Sequence, residues 1–321
     1  MKDFCFKNSQ TALPFLKFFN GESMVNSVEK KCFDSFLVDY SKSQEKNIGW
    51  SAVAYAIEKL YDDKLVLFLI KTYGVGELEY ASRIKSWQKN PNDIECKNIL
   101  ITCVRKDRLL LFKEILSSKP NIDVNQILEY TMRFAPTLPA NPYPVEHRVK
   151  VSRILQIIIR ESQNAFDYLE LLFNKAANAN FPEHYCTSAN TNPFNSYCLC
   201  EAIKIGSLEL VKYLLRKGAL PNTVGSRSDQ PSAFQLAVST NRLDIAETLI
   251  QEMRNTDKLK YLYIAIKEND LEVAKLLLKY GTNPFEGGMA SCPYATALLQ
   301  NRTTFVDLFA SEAGGKFFSK L

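Results

Sequence analysis

Histidine is nearly absent from this chain: there are 2 in 321 residues, His147 and His184, and both lie in irregular stretches outside any helical periodicity. That scarcity leaves few candidates for acid–base catalysis and few for a zinc cage. The sequence also has no glycine-rich phosphate loop, no paired Asp-x-Asp motif and no His-Glu-x-x-His, so nucleotide and metalloprotease chemistry have no motif to stand on. Long apolar runs are missing as well. None is longer than Leu65 to Ile70, and Ile157 to Ile159 is shorter still, far below the roughly 20 residues a membrane span requires. Pro14 and Lys17 interrupt the one amino-terminal stretch that resembles the core of a cleaved leader. A cytosolic protein without membrane contact is expected.

Charge of one sign is lacking too. The 40 basic and 35 acidic residues leave a net +5, and lysines stand beside glutamates at helical spacing, as in Glu209 with Lys212 and Glu272 with Lys275. Such pairs are solvated helix surface. No basic block with interleaved aromatics suggests a nucleic-acid groove, and a modest preference for acidic partners is all that follows. Only 12 glycines beside 46% hydrophobic residues argue against disorder.

What the chain does contain is a repeated phrase. Ala202-Ile-Lys-Ile-Gly206-Ser-Leu208-Glu-Leu210-Val211, closing through Leu214, Leu215 and Gly218, returns as Ala265-Ile-Lys-Glu-Asn269-Asp-Leu271-Glu-Val273-Ala274, closing through Leu277, Leu278 and Gly281. The spacing reads as a short helix, a tight turn and a second helix whose apolar stripe is too broad to bury alone. Gly218 and Gly281 end the second helix where a positive φ is wanted, and Pro221 and Pro284 prevent its continuation. Each unit therefore needs a neighbour.

This pattern resembles the ankyrin repeat. Ser232-Ala233-Phe234-Gln235-Leu236-Ala237 occupies the slot where that family writes Thr-Pro-Leu-His-x-Ala, and Asn241 stands where it prefers glycine. Cys292-Pro293-Tyr294-Ala295-Thr296-Ala297 fills the slot again before Phe305, Val306 and Phe309; the helices of this last unit look short, as in a cap. A small anchor residue, with an apolar residue three before it and an apolar pair twelve and thirteen after, places further units at Cys103 and at Ala56, the latter needing two extra residues in its turn. A third falls near residue 159, where Leu171 and Leu172 make the pair and Gln156 breaks the apolar slot.

The resemblance implies an all-α ankyrin-repeat solenoid of about six or seven stacked helix-turn-helix units, irregular in the amino-terminal half, with an amino-terminal helical cap. Residues 1–49 would be that cap, through Leu13 to Phe19 and the amphipathic run Val28 to Tyr40; residues 50–195 degenerate repeats with long insertions; and residues 196–321 regular repeats with a carboxy-terminal cap.

The 8 cysteines fit packing better than disulfides or metal. Cys103 is an anchor, and Cys198, Cys200 and Cys292 lie four, two and five residues before anchors, in slots that suit a small hydrophobe. His184-x-Cys186 and Cys198-x-Cys200 have a one-residue gap where structural zinc sites use two or more. No metal or cofactor is expected, and the protein is expected not to be an enzyme. The competing reading is a cysteine nucleophile, Cys186, partnered by His184 or His147.

Repeat scaffolds bind through a concave wall of loops and first helices. The insertions of this chain fall in those loops: Thr131 to Arg148, with Pro136, Pro139, Pro142 and Pro144, and Ala179 to Tyr197. Proline lowers the ordering cost of a recognition loop, and Tyr and Phe dominate interface energetics. The candidate partner-binding residues are Tyr143, His147, His184, Tyr185 and Tyr197, whereas Phe181 and Phe194 are expected to fold back and plug gaps between irregular repeats. Irregular repeats and a Lys/Asn/Ile/Phe-rich vocabulary are similar in style to ankyrin proteins that intracellular bacteria inject into host cells. That likeness implies a host protein as partner of a monomer in the host cytosol. The terminal Ser319-Lys320-Leu321 alternatively matches the peroxisomal address.

Overall fold

The computed structural model describes residues 35–36, 38–40, 51–83, 94–133, 148–187, 190–222, 231–287 and 292–317. Within them the helices come in pairs: α1 (Ala52–Glu58) with α2 (Asp63–Tyr73), α3 (Ile99–Arg105) with α4 (Leu109–Ser118), α5 (Ile154–Glu161) with α6 (Ala165–Phe173), α7 (Cys198–Ile205) with α8 (Leu208–Arg216), α9 (Ala233–Ser239) with α10 (Leu243–Glu252), α11 (Asn255–Glu268) with α12 (Leu271–Lys279), and α13 (Pro293–Leu299) with α14 (Thr303–Phe317). The anchors Ala56, Cys103, Ala202, Ala237, Ala265 and Ala297 are all at most 2% exposed, which is why small residues stand there: each lies where neighbouring helices meet.

By packing, the chain divides into two compact units, Met1–Cys198 and Leu199–Leu321. In the first, α1, α3 and α5 pack in one row and α2, α4 and α6 in another. In the second, α8 packs on α10, α12 on α14 and α11 on α13. The second helices bury the broad stripes seen in the sequence, for example Ile245, Ala246, Leu249 and Ile250 of α10, all at 0% exposure. Each fully buried Leu or Ile contributes about 1.5–3 kcal/mol relative to an exposed one.

Side chains five before the anchor start the first helices. Ser51 Oγ accepts from Ala54 N at 3.1 Å, Asn98 Oδ1 from Leu100 N at 3.0 Å and Cys292 Sγ from Ala295 N at 3.4 Å. Ser232 and Gln235 form a reciprocal capping box at 3.2 and 3.0 Å. The third unit departs from this rule, because Arg153 precedes its first helix without a side-chain cap. Gln156, three before residue 159, is buried and donates Nε2 to Phe181 O at 2.8 Å. In the first unit one extra turn residue suffices, not two, since α2 starts seven residues after Ala56 where α4 starts six after Cys103.

The turns within pairs repeat a left-handed residue: Leu60 (φ 60°), Asp107 (50°), Gly206 (79°), Asn241 (55°), Asn269 (61°) and Asn301 (55°). Asn tolerates that region better than most side chains, which explains why it replaces glycine here. In three of the units the residue just before the second helix reaches back to the preceding unit. Arg108 donates to Tyr61 O and to Asp63, Asn164 donates to Asp107, and Arg302 donates to Lys267 O.

Helical residues 35–36 and 38–40 cover the first pair. Phe36 is fully buried and Tyr40 3% exposed; their rings stack at 5.7 Å, and Phe36 meets Tyr61 edge-on at 5.2 Å. Tyr61 Oη donates to Asp39 Oδ2 at 2.7 Å. Leu13 to Phe19 lies outside the described residues. The last unit departs from expectation, because α14 is 15 residues long rather than short.

The connections of the first unit form strands β1 (Glu79–Arg83), β2 (Ile94–Asn98), β3 (Leu128–Arg133), β4 (Arg148–Arg153), β5 (Glu183–Thr187) and β6 (Asn190–Ser196), joined in that order as a six-stranded antiparallel sheet. The helical packing is that of an all-α fold, and the sheet is built entirely from the links between its helix pairs.

Candidate partner-binding surface

Each hairpin of the sheet runs directly into a first helix. β2 ends at Asn98 and α3 starts at Ile99; β4 ends at Arg153 and α5 starts at Ile154. The strands are therefore aimed by the helices they precede, and β2 pairs with β3, and β4 with β5, from one repeat to the next. Where strands pair between hairpins, their backbone donors and acceptors satisfy one another.

The two insertions of the sequence become neighbours in this sheet. Thr131 and Lys150 pair across the second hairpin, and Lys150 pairs in turn with Tyr185 of the third. Arg148, which follows His147, pairs with Thr187. His184 stands opposite Val151 and Asn195, and Tyr185 opposite Lys150 and Phe194. Tyr197 is half-buried at the entry to α7. Tyr143 and His147 lie outside the described residues, as do residues 318–321. Cys186 pairs with Val149, two positions along β5 from His184.

Ion pairs brace the sheet against the helix ends. Lys97 of β2 meets Glu58 of α1 at 3.0 Å. Arg105, the last residue of α3, bonds Glu129 of β3 at 2.7 Å and Glu161 of α5 at 2.8 Å. Burial lowers the Arg105 pKa, but the hydrogen bonds to Glu161 and Glu129 more than reverse that and hold it above its ordinary value. At the base of the third hairpin Arg153 donates to Pro182 O at 2.8 Å and Asn125 O at 2.7 Å, and its guanidinium lies 5.3 Å from the Phe181 ring. Phe181 is 40% exposed, so it does not plug a gap as expected. Stacking on Arg153 holds it at the surface instead.

The cysteines behave as packing residues. Cys103, Cys198, Cys200 and Cys292 are buried, and burial pushes the Cys103 thiol well above its usual range. Among the described residues no group of three His, Cys, Asp or Glu is placed to hold a metal ion, and no helix is long and apolar enough to cross a membrane.

The second unit carries a groove that the sequence reading missed. Only Met253 and Arg254 separate α10 from α11, so no hairpin fits there, and α11 runs 14 residues where the other first helices run seven or eight. Between α9 and this longer helix opens a cavity of 310 Å³ whose lining includes Phe234, Val238, Tyr261 and Ile264 and the carboxylates of Glu268 and Asp270. The signal available in the sequence was the spacing from Ala237 to Ala265, five residues short of the roughly 33-residue period.

No curated protein matches this chain. Among solved structures it is similar to the ankyrin repeat domain of Bcl-3, a unique member of the IkappaB protein family, at 16% identity and a TM-score of 0.44, over 77% of this chain and 94% of that one. Residues 199–287 match the family model of ankyrin repeats, in three copies.

Proposed function

We propose that the six-stranded sheet of the first unit is the surface on which this chain seats a protein partner. Ankyrin repeats imply a scaffold for protein–protein interaction, and the observation that supports this particular surface is the direct pairing of the two long insertions, Lys150 with both Thr131 and Tyr185. That pairing puts His184 and Tyr185 in the sheet, with Tyr197 just beyond its last strand; Tyr143 and His147 belong to the proposed surface by their place in the sequence of the second insertion. Preorganised strands reduce the ordering cost that binding otherwise carries. The partner is a protein of a host cell that the chain enters by injection; this finer reading rests on the vocabulary and irregular repeats of the sequence.

The test removes the surface and keeps the scaffold. Arg133 and Arg148 are directly opposed, so residues 134–147 can be replaced by Asn-Gly, whose turn suits a two-residue hairpin. The shortened chain should melt like the parent and lose capture of proteins cross-linked from host-cell lysate. Undiminished capture would remove the second hairpin from the binding surface.

A further inference from the structure

The groove between α9 and α11 deepens the protein-binding reading and rests on it. Its volume of 310 Å³ lies at the lower end of the range for ligand pockets, roughly 300–1,000 Å³, so it suits one anchoring side chain rather than a whole small molecule. Its walls are mixed, with Gln235 and Ser239 beside apolar side chains: Val238 and Ile264 are half-buried, and the buried Phe234 and Tyr261 have ring centroids 4.7 Å apart. Its charged lining residues, Glu268 and Asp270, are both acidic.

That sign is a local reversal in a chain of net charge +5. Glu268 is exposed, and among the described residues it enters no ion pair. Asp270 uses one carboxylate oxygen to cap α12 through Val273 N at 3.1 Å. Nearby Arg302 is held on Lys267 O at 3.3 Å and does not line the groove. A slot that combines apolar side chains with two carboxylates is complementary to a side chain with an aliphatic stem and a cationic head. We infer that this groove anchors an arginine or lysine side chain of a partner polypeptide, the stem between Val238 and Ile264 and the cation against Glu268 and Asp270.

The probes are three peptides, acetyl-Ala-Gly-Xaa-Leu-Ala-Gly-amide with Xaa as Arg, norleucine or Glu, titrated calorimetrically into the full chain. The Arg peptide should bind about tenfold more tightly than the norleucine peptide, a difference of about 1.4 kcal/mol, and the gap should narrow with salt. In the variant Glu268→Gln/Asp270→Asn the preference should vanish with the fold intact, because Asn caps a helix as well as Asp. Val238→Trp, which fills the slot, should abolish binding of the Arg peptide, with circular dichroism confirming its helices.

Equal affinity for the Arg and norleucine peptides would overturn the charge reading. An Arg peptide that still binds the Val238→Trp chain, or no binding by any of the three, would overturn the groove as the anchor site. Neither result touches the hairpin sheet, which the deletion of residues 134–147 tests separately.

Discussion

Replacing Arg108 by Met should weaken the first unit by about 2–3 kcal/mol, more than any other single contact between successive turns. Arg108 precedes α4 and reaches back to the start of α2, donating Nε to Asp63 Oδ1 at 2.6 Å, a terminal nitrogen to the same oxygen, and to Tyr61 O at 2.6 Å. Its side chain is 14% exposed and that of Asp63 is 37% exposed. Hydrogen bonds to charged groups contribute about 1.5–3 kcal/mol net. Losing one partner of a fully buried pair costs about 3–5 kcal/mol, but water can reach Asp63 here, so the loss stays at the lower figure. Met keeps most of the aliphatic stem, which isolates the polar contribution. Lys restores the charge without the planar fork and should recover about half. Urea unfolding followed by tryptophan fluorescence reads this unit selectively, because Trp50 and Trp87 both lie within residues 1–198. A loss below about 0.5 kcal/mol for Arg108→Met, or a Lys variant as damaged as Met, would refute the staple and the typical magnitudes used for it.

In the second unit Gly206→Ala places a Cβ 2.5 Å from Arg242 Cζ at a φ of +79°. The clash and the left-handed backbone together should cost about 1–2 kcal/mol, and Arg242→Ala should relieve the clash but not the backbone part, which a double-mutant cycle in urea would resolve. Stability should also fall at high pH. Burial is the first cause that raises the phenols of Tyr61, Tyr168 and Tyr261, and it pushes Tyr73 up to about 12. Unfolded tyrosines ionise near pH 10, so the stabilisation is complete below that value and is lost as pH rises towards 12. Tyr168→Phe should flatten this alkaline loss in melts paired with phenolate absorbance; an unchanged slope would contradict it.

The repeat units were legible because their signal is local. Ala202, Ala237, Ala265 and Ala297 sit between apolar positions at fixed offsets, and each offset reports a contact made again in every unit. The same logic placed Cys103 and Cys292 in packing slots. The sheet was not legible, because its pairings are between repeats: Lys150 meets Tyr185 across an intervening helix pair, and no short window contains both. The alternation Val149-Lys150-Val151 was a strand signal, but five- or six-residue strands within proline-rich insertions read equally well as loops. Phe181 was misplaced for a related reason: its ring partner Arg153 lies 28 residues earlier, in β4. The groove was not legible because it arises from a missing hairpin, and the short interval from Ala237 to Ala265 does not by itself say which element is missing.

The central claim is that the hairpin insertions of the first unit form the surface that seats the protein partner. It is tested most directly by the triple variant Tyr143→Ala/Tyr185→Ala/Tyr197→Ala, with partner capture by cross-linking and thermal unfolding measured on the same preparation. Capture lost while the melting midpoint stays unchanged is the predicted result; capture equal to that of the unmodified chain would contradict the claim.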